Sequence, residues 1–205
     1  ARDLYETLSQ ELNFNIMFSP RGVLMLAQTE HELRAWKRTA QANRLAGIES
    51  EMVSPTRIKE LVPPINLDGP RYPVLGGLWQ PRGGTARHDA VAWGYARAAS
   101  NLGVDIIENG EGTSRGVIAT RKLCIVVAGS STVLADMAGF RLPVESLALQ
   151  ALVSEPVKPA IDCVIMANTV HGYISQSDKG EMVIGGGADA FNNYTQRGSF
   201  QHVEE

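Results

Sequence analysis

The order of local patterns between residues 88 and 140 constrains the fold most, because it is the order of an α/β layer. HDAVAWGYARAASNLG, from His88, predicts a helix that Gly103 ends, and VDIIENGE after it predicts a strand. KLCIVVAGSS, from Lys122, is a nearly continuous apolar run, as expected of a strand buried on both faces. TVLADMAGF after it predicts another helix. The middle of the chain therefore indicates α/β structure.

The segment before this middle part combines helix and strand signals. Residues 1–12 predict an amphipathic helix, and NIMFSPRGVLMLAQT predicts two strands around a turn at residues 19–22. Thr29 with Glu32 has the spacing of a capping box, and Ser54 before a proline predicts a second helix start. An α+β segment is expected here.

The segment after it indicates an antiparallel sheet. ALQALVSEPV, DCVIMANTV, GYISQS and EMVIGGGAD are short β segments separated by turn residues, and SDKG predicts a hairpin turn. We therefore expect residues 83–142 to form part of a nucleotide-binding layer. Residues 1–82 are expected to be the first part of a substrate and interface domain, and residues 143–205 an antiparallel-sheet substrate domain, interleaved with the nucleotide-binding layer.

Composition excludes several classes of function. With 205 residues, a net charge of −3 and 6% aromatic residues, the chain is not expected to bind nucleic acid or a membrane surface. No apolar run reaches the ~18 residues of a membrane span. Cys124 and Cys163 lie in apolar runs without metal-ligand spacing, which predicts buried free thiols, no metal site and a cytoplasmic location. Both ends look cut from a longer chain.

The glycine-rich stretches do not have the spacing of a dinucleotide fingerprint. VLGGLWQPRGG and VIGGGADA are interpreted as turns and bulges, so the chain lacks the phosphate-binding turn that a flavin or nicotinamide enzyme needs. In IVVAGSS, Ala128 and Gly129 end the predicted strand and would let the backbone approach a ligand at the edge of a sheet. A packing glycine after a strand explains that pattern equally well.

Two histidines have a functional and a structural interpretation. His88 begins a predicted helix capped by His88 or Asp89, and Arg82 and Arg87 nearby would suit an anionic group such as a phosphate. The alternative is a surface histidine at a helix start. His171 and Tyr173, two positions apart in a predicted strand, would share one face and line a pocket. The alternative is a half-buried sheet face with satisfied polar groups.

The chain resembles the β subunits of heterotetrameric sarcosine oxidases over essentially its whole length. This resemblance is carried in order by MFSPRGVLMLAQT, RYPVLGGLWQPRGGTARHDAVAWGYARAASNLGVDIIENGE, VVAGSSTVLADMAGF, LQALVSEPVKP and VHGYISQSDKGEMVIGGG. It implies the FAD-dependent oxidoreductase (D-amino-acid-oxidase-like) fold, α/β plus α+β, with a Rossmann-type FAD domain interleaved with an antiparallel-sheet substrate domain. In that family a Rossmann strand with a glycine-rich FAD turn precedes this portion, and a glycine-rich block follows it. The terminal parts of the family's fold are therefore expected to be missing from these residues.

The resemblance also implies a reaction, cofactors and partners. The family oxidises sarcosine at a noncovalent FAD, which yields glycine and a formaldehyde equivalent that tetrahydrofolate captures in a partner subunit. Electrons pass to an FMN at the interface with the α subunit and then to oxygen, giving hydrogen peroxide. That FMN is covalently attached to a histidine, which the resemblance places at His88, with Arg82 and Arg87 near its phosphate.

Further site residues follow from matching motifs. Ala128 and Gly129 match the strand end that passes close to FAD, and Gly112 falls where the family has an apolar residue near the adenine. His171 and Tyr173 match the HxYxSQ strand that faces the substrate. This chain departs from the family pattern in LALQ and AGSST, and a β-meander between IIENGE and TSRGVI is shorter or absent.

Two other functions remain open at this point. The chain could belong to a related secondary-amine dehydrogenase that acts on another N-methylated amino acid or on proline. It could instead belong to a flavin-free structural subunit, which the missing phosphate-binding turn and the altered LALQ and AGSST motifs would favour.

Overall fold

The structure, a computed structural model, describes residues 2–107, 116 and 119–188. Over this part of the chain the helices are α1 (Arg2–Glu11), α2 (Glu30–Leu45), α3 (Pro55–Leu61), α4 (His88–Asn101) and α5 (Ser131–Met137). The strands are β1 (Val23–Ala27), β2 (Glu51–Val53), β3 (Gly76–Gln80), β4 (Leu149–Pro156), β5 (Val164–Ala167), β6 (Gly172–Gln176) and β7 (Glu181–Ala188).

One mixed sheet joins the first and last thirds of the chain. Its strand order is β2-β3-β1-β5-β6-β7-β4, and only the β1–β5 pair is parallel among these neighbours. Leu24 of β1 lies between Trp79 of β3 and Ile165 of β5. No described residue between β3 and β4 adds a strand to this sheet. The predicted boundaries at residues 82 and 142 stay a prediction.

The helix starts and the hairpin turn follow the local signals in the sequence. Thr29 Oγ1 accepts a hydrogen bond from the Glu32 N–H at 3.2 Å, and Glu32 Oε2 accepts one from the Thr29 N–H at 3.2 Å. Ser54 caps α3 through one such bond, with its Oγ accepting from the Arg57 N–H at 3.3 Å. The SDKG turn closes with a 3.0 Å hydrogen bond from the Gly180 N–H to the Ser177 carbonyl. These predictions are confirmed.

The main core lies between one face of the sheet and α3. Leu24 and Ile58 are completely buried, and Val62 is nearly so. The same cluster includes Leu26, Val53, Val74, Cys163 and Ile165. Burial of Cys163 was predicted and is confirmed. This core packs against β1 and β5 at the centre of the sheet.

The predicted buried strand from Lys122 is wrong for the structure as described. Residues 122–127 have no regular structure, and Leu123 and Val126 are 76% and 83% exposed. Cys124 is also exposed, contrary to the prediction. A strand needs neighbours that receive its backbone hydrogen bonds, and no strand partner for this segment occurs among the described residues.

Three smaller predictions also need correction. Residues 15–18 form no strand, because Met17 has a left-handed φ of 55° that interrupts an extended backbone. Residues 104–107 form no strand either, and 108–111 lie outside the described residues. Helix α4 starts at the predicted place, but its N-cap is Arg87, without a side-chain cap hydrogen bond, and not His88 or Asp89.

Candidate functional site

The segment that leads into α4, here called the His88 arm (residues 81–88), is fixed against the chain before β1. Ser19 and Thr85 exchange backbone hydrogen bonds of 2.8 and 3.0 Å, and the Gly22 N–H donates to the Gly83 carbonyl at 2.7 Å. Gly84 has to be glycine, because a Cβ there would lie 2.1 Å from the Ser19 carbonyl oxygen. The arm therefore enters the helix along a fixed backbone path.

His88 lies at the exposed start of α4. It is the first residue of the helix, where the helix dipole is positive. Its side chain is exposed, so a large group can reach the imidazole. The structure thus places the predicted tethering residue at an accessible position.

The two arginines predicted to bind a phosphate are both paired with carboxylates. Arg87 donates to Asp89 from Nε and Nη2 at 3.1 and 2.8 Å. These bonds, and one from the Ala90 N–H, hold the pKa of Asp89 below its usual value. Arg82 donates to Glu6 of α1 from Nε at 3.1 Å and from Nη2. A phosphate at this site would therefore compete with carboxylates.

His171 and Tyr173, predicted to lie in one strand, lie in a turn and in a strand, respectively. His171 has a left-handed φ of 48° and precedes β6, so the prediction that both residues share a strand face is wrong. Tyr173 is in β6, is 39% exposed and lies opposite Gly185 of β7. Because a left-handed residue breaks strand alternation, the structure assigns only Tyr173 to the strand.

An apolar groove of about 400 Å³ runs along the sheet next to Tyr173. Its walls include Leu26, Val62, Ile165, Ile174 and Ile184. These groove residues are not among the site residues predicted from the sequence. A sequence signal for the groove does exist. Ile165 and Ala167, like Gly172 and Ile174, are two positions apart, which puts apolar or small residues on one face of two paired strands.

Ala128 and Gly129 form an exposed bend instead of a strand end. They belong to a 3-10 turn (Ala128–Ser130) that leads into α5, and Ala128 has a φ of 46°. An added Cβ at Gly129 would meet no atom within 4 Å. Gly112, the other predicted FAD contact, lies outside the described residues.

Two classes of site are not found in the part of the chain that the structure covers. Within residues 2–107, 116 and 119–188, no group of three or more histidine, cysteine, aspartate or glutamate side chains could hold a metal ion. In the same ranges, no helix is long and apolar enough to cross a membrane.

Comparison with known proteins defines the class. The sequence profile of the FAD-dependent oxidoreductases (DAO) matches residues 1–205, and the chain belongs to this family. The chain is 64% identical to a sarcosine oxidase β subunit of Rhodobacter capsulatus and 47% identical to one of Rhizobium meliloti. These matches cover 100% and 98% of this chain, but 53% and 52% of those proteins, so the chain spans about half their length. The predicted resemblance is confirmed.

Solved structures confirm the predicted fold. An L-proline dehydrogenase from P. horikoshii matches 99% of this chain and 57% of its own with a TM-score of 0.84 at 23% identity. A glycine oxidase from Geobacillus kaustophilus matches 99% of this chain and 58% of its own, with a TM-score of 0.75 at 20% identity. At these identities the likeness concerns the fold alone.

Proposed function

We propose that this chain is part of the flavin-bearing β subunit of a sarcosine-oxidising hetero-oligomer in the cytoplasm. The observation that carries the proposal is the 64% identity to a sarcosine oxidase β subunit over the whole chain, together with the accessible His88. In the proposed reaction sarcosine, oxygen and water give glycine, formaldehyde and hydrogen peroxide. Tetrahydrofolate, bound by a partner subunit, would capture the formaldehyde equivalent as methylene-tetrahydrofolate.

His88 is the proposed attachment point for a covalent FMN at the interface with an α subunit. A neutral imidazole nitrogen is a nucleophile, and its exposed position at the start of α4 allows a flavin ring to lie next to it. Arg87 and Arg82 would bind the phosphate by exchanging Asp89 and Glu6 for it, since a guanidinium binds both kinds of oxyanion through the same fork.

A noncovalent FAD is proposed to lie between the Ala128–Gly129 bend and the sheet. FAD supplies the redox chemistry when bound, and this chain supplies contact and orientation. The open backbone at Gly129 supports this placement, and Gly112 is proposed to contribute near the adenine. His171 and Tyr173 are proposed to act on the substrate side, with the Tyr173 hydroxyl as a hydrogen-bonding group.

Mass spectrometry of the intact assembly tests the FMN attachment. The expected result is FMN mass on the peptide that contains His88 in the native protein. His88→Ala should lose the covalent FMN and retain FAD. Unmodified His88 peptide from a flavin-loaded assembly would contradict the attachment, and an assembly without visible flavin absorbance would instead support a structural subunit.

Steady-state kinetics test the substrate. We expect a higher kcat/KM for sarcosine than for N-methylglutamate or proline. A preference for proline would favour a secondary-amine dehydrogenase and contradict the proposed substrate, while leaving the flavin attachment intact.

A further inference from the structure

The bend of residues 19–22 lies where the His88 arm meets the sheet. On one side, Ser19 and Gly22 are hydrogen bonded to Thr85 and Gly83 of the arm. On the other side, the Gly22 carbonyl accepts a hydrogen bond of 3.0 Å from the Val164 N–H at the start of β5. Movement of this bend would therefore move the arm relative to the sheet.

Arg21 connects the same bend to the end of β6. Its Nε donates to Ser19 Oγ at 2.9 Å, and its Nη1 donates to the Gln176 carbonyl at 3.0 Å. Its Nη2 is ion-paired with Asp178. Because the planar guanidinium uses three separate nitrogens, these three bonds fix both the position and the orientation of the side chain.

The acceptor at the end of β6 is itself rigid. The Gln176 side chain is 6% exposed, and its Oε1 accepts hydrogen bonds from the Ala160 and Ile161 N–H groups at 2.7 and 3.2 Å. Its Nε2 donates to the Gly180 carbonyl at 3.0 Å. A buried amide with satisfied donors and acceptors has one stable orientation. The Gln176 side chain therefore holds its own backbone in place, including the carbonyl that accepts from Arg21.

A continuous series of contacts therefore links β6, which contains Tyr173, to the His88 arm. Gln176 ends the strand that contains Tyr173, Arg21 joins Gln176 to Ser19, and Ser19 pairs with Thr85 just before His88. The links are hydrogen bonds of 2.8–3.0 Å between named atoms, which is ordinary geometry for strong bonds.

We propose that Arg21 is a positioning residue that holds the His88 arm in register with the β6 strand. This inference rests on the proposed attachment of FMN to His88. Bond formation at an imidazole needs the reacting atoms held in place, and a displacement of about 1 Å can slow such a step about 100-fold. Arg21 would act through the backbone of the arm without touching the flavin.

Arg21→Gln in the intact assembly is the principal test. Glutamine keeps a polar side chain but removes the charge and the three-way fork. The fraction of His88 peptide that carries FMN should fall by about tenfold, in line with the loss of hydrogen bonds to a charged group, while the FAD content is kept. Arg57→Gln is the matched control, because exposed Arg57 pairs with Glu60 three positions along α3. It should leave both flavins unchanged.

Hydrogen–deuterium exchange of the peptide covering residues 81–90 gives a readout that does not depend on flavin. Arg21→Gln should make the arm exchange faster, Arg57→Gln should not, and Arg21→Lys, which keeps only the charge, should lie between wild type and Arg21→Gln. If wild type lacks FMN, the proposed function fails, and this exchange still decides the role of Arg21. If residues 81–90 exchange at the same rate in Arg21→Gln as in the wild type, that role is overturned.

Two milder variants keep the test decisive if Arg21→Gln does not fold. Asp178→Asn and Ser19→Ala each remove one partner of Arg21 and leave the arginine in place. Each should give a smaller change in the same direction. Wild-type FMN occupancy and wild-type exchange in both variants would overturn the proposal.

Discussion

Tyr173 lies directly across Gly185 on the neighbouring strand, in space that only a glycine leaves open. A Cβ on Gly185 would lie 2.3 Å from Cε1 and Cζ of the Tyr173 ring. The two residues are register partners in the antiparallel β6–β7 pair. The outer part of the ring therefore lies over Gly185 of β7, which sets where its hydroxyl is presented.

Gly185→Ala is expected to displace the Tyr173 ring with little loss of stability, because a partly exposed side chain can rotate away. On the proposed substrate role of Tyr173, the KM for sarcosine in the intact assembly should change, as it should in Tyr173→Phe. Gly186→Ala is the matched control, since its Cβ would lie 2.7 Å from the His171 carbonyl oxygen, which belongs to the backbone. That control should cost about 1–3 kcal/mol of unfolding free energy. Equal costs in urea titrations would contradict the prediction.

Gly22→Ala should destabilise the protein far more than Gly47→Ala. Both glycines have left-handed φ angles, 87° and 69°, so each alanine pays backbone strain of about 1 kcal/mol. Only at Gly22 would the Cβ also collide with the Trp79 ring, at 1.9 Å, which adds about 1–3 kcal/mol of overpacking. Urea unfolding of both variants measures the difference, and similar midpoints would show that Trp79 moves freely.

The start of α2 should make stability depend on pH in the acidic range. Burial raises the pKa of Glu32, but hydrogen bonds from Gln28, Thr169 and Thr29 lower it overall, below its ordinary value of 4.5. The contribution of the ionised Glu32 carboxylate to the free energy of unfolding is therefore full above about pH 4.5. It is lost as the pH falls through the lower pKa that Glu32 has in the folded state.

Glu32→Gln should reduce this acid dependence, measured as unfolding free energy against pH. Glu30→Gln, on the same helical turn but outside the capping box, is the control and should keep the wild-type slope. An unchanged slope in Glu32→Gln would rule out the capping carboxylate as its source.

Cys163 should resist alkylation in the native protein. Burial and the nearby charge of Asp162 raise the pKa of its thiol to about 11, so little thiolate is present near neutral pH. Iodoacetamide labelling followed by peptide mass spectrometry should detect Cys163 only after denaturant is added, and native labelling should rise as the pH approaches 11. Rapid native labelling near neutral pH would contradict burial in the core cluster.

The sequence predicted those features that depend on neighbouring residues. Thr29 and Ser54 were identified as helix caps because a cap contacts a residue three positions along the chain. The hairpin at Ser177–Gly180 was recognised for the same reason. The family was recognised from its motifs, and the profile match confirms it.

Features that depend on distant residues could not be predicted in this way. The apolar run at residues 122–127 predicted a strand, but a strand forms only with a partner, which apolar content does not supply. His171 appeared in a strand pattern because alternation assumes an extended backbone, and its φ of 48° breaks that assumption. The contact between Arg21 and Gln176 crosses 155 positions of sequence, beyond any local rule.

The parallel pairing of β1 with β5 has a consequence for synthesis on the ribosome. Residues 23–27 leave the exit tunnel long before residues 164–167, which must add to the edge of β1. Until then the nascent chain presents an apolar edge that is open to pairing with other chains. Chaperone binding to this edge during translation would protect the sheet until its second half arrives.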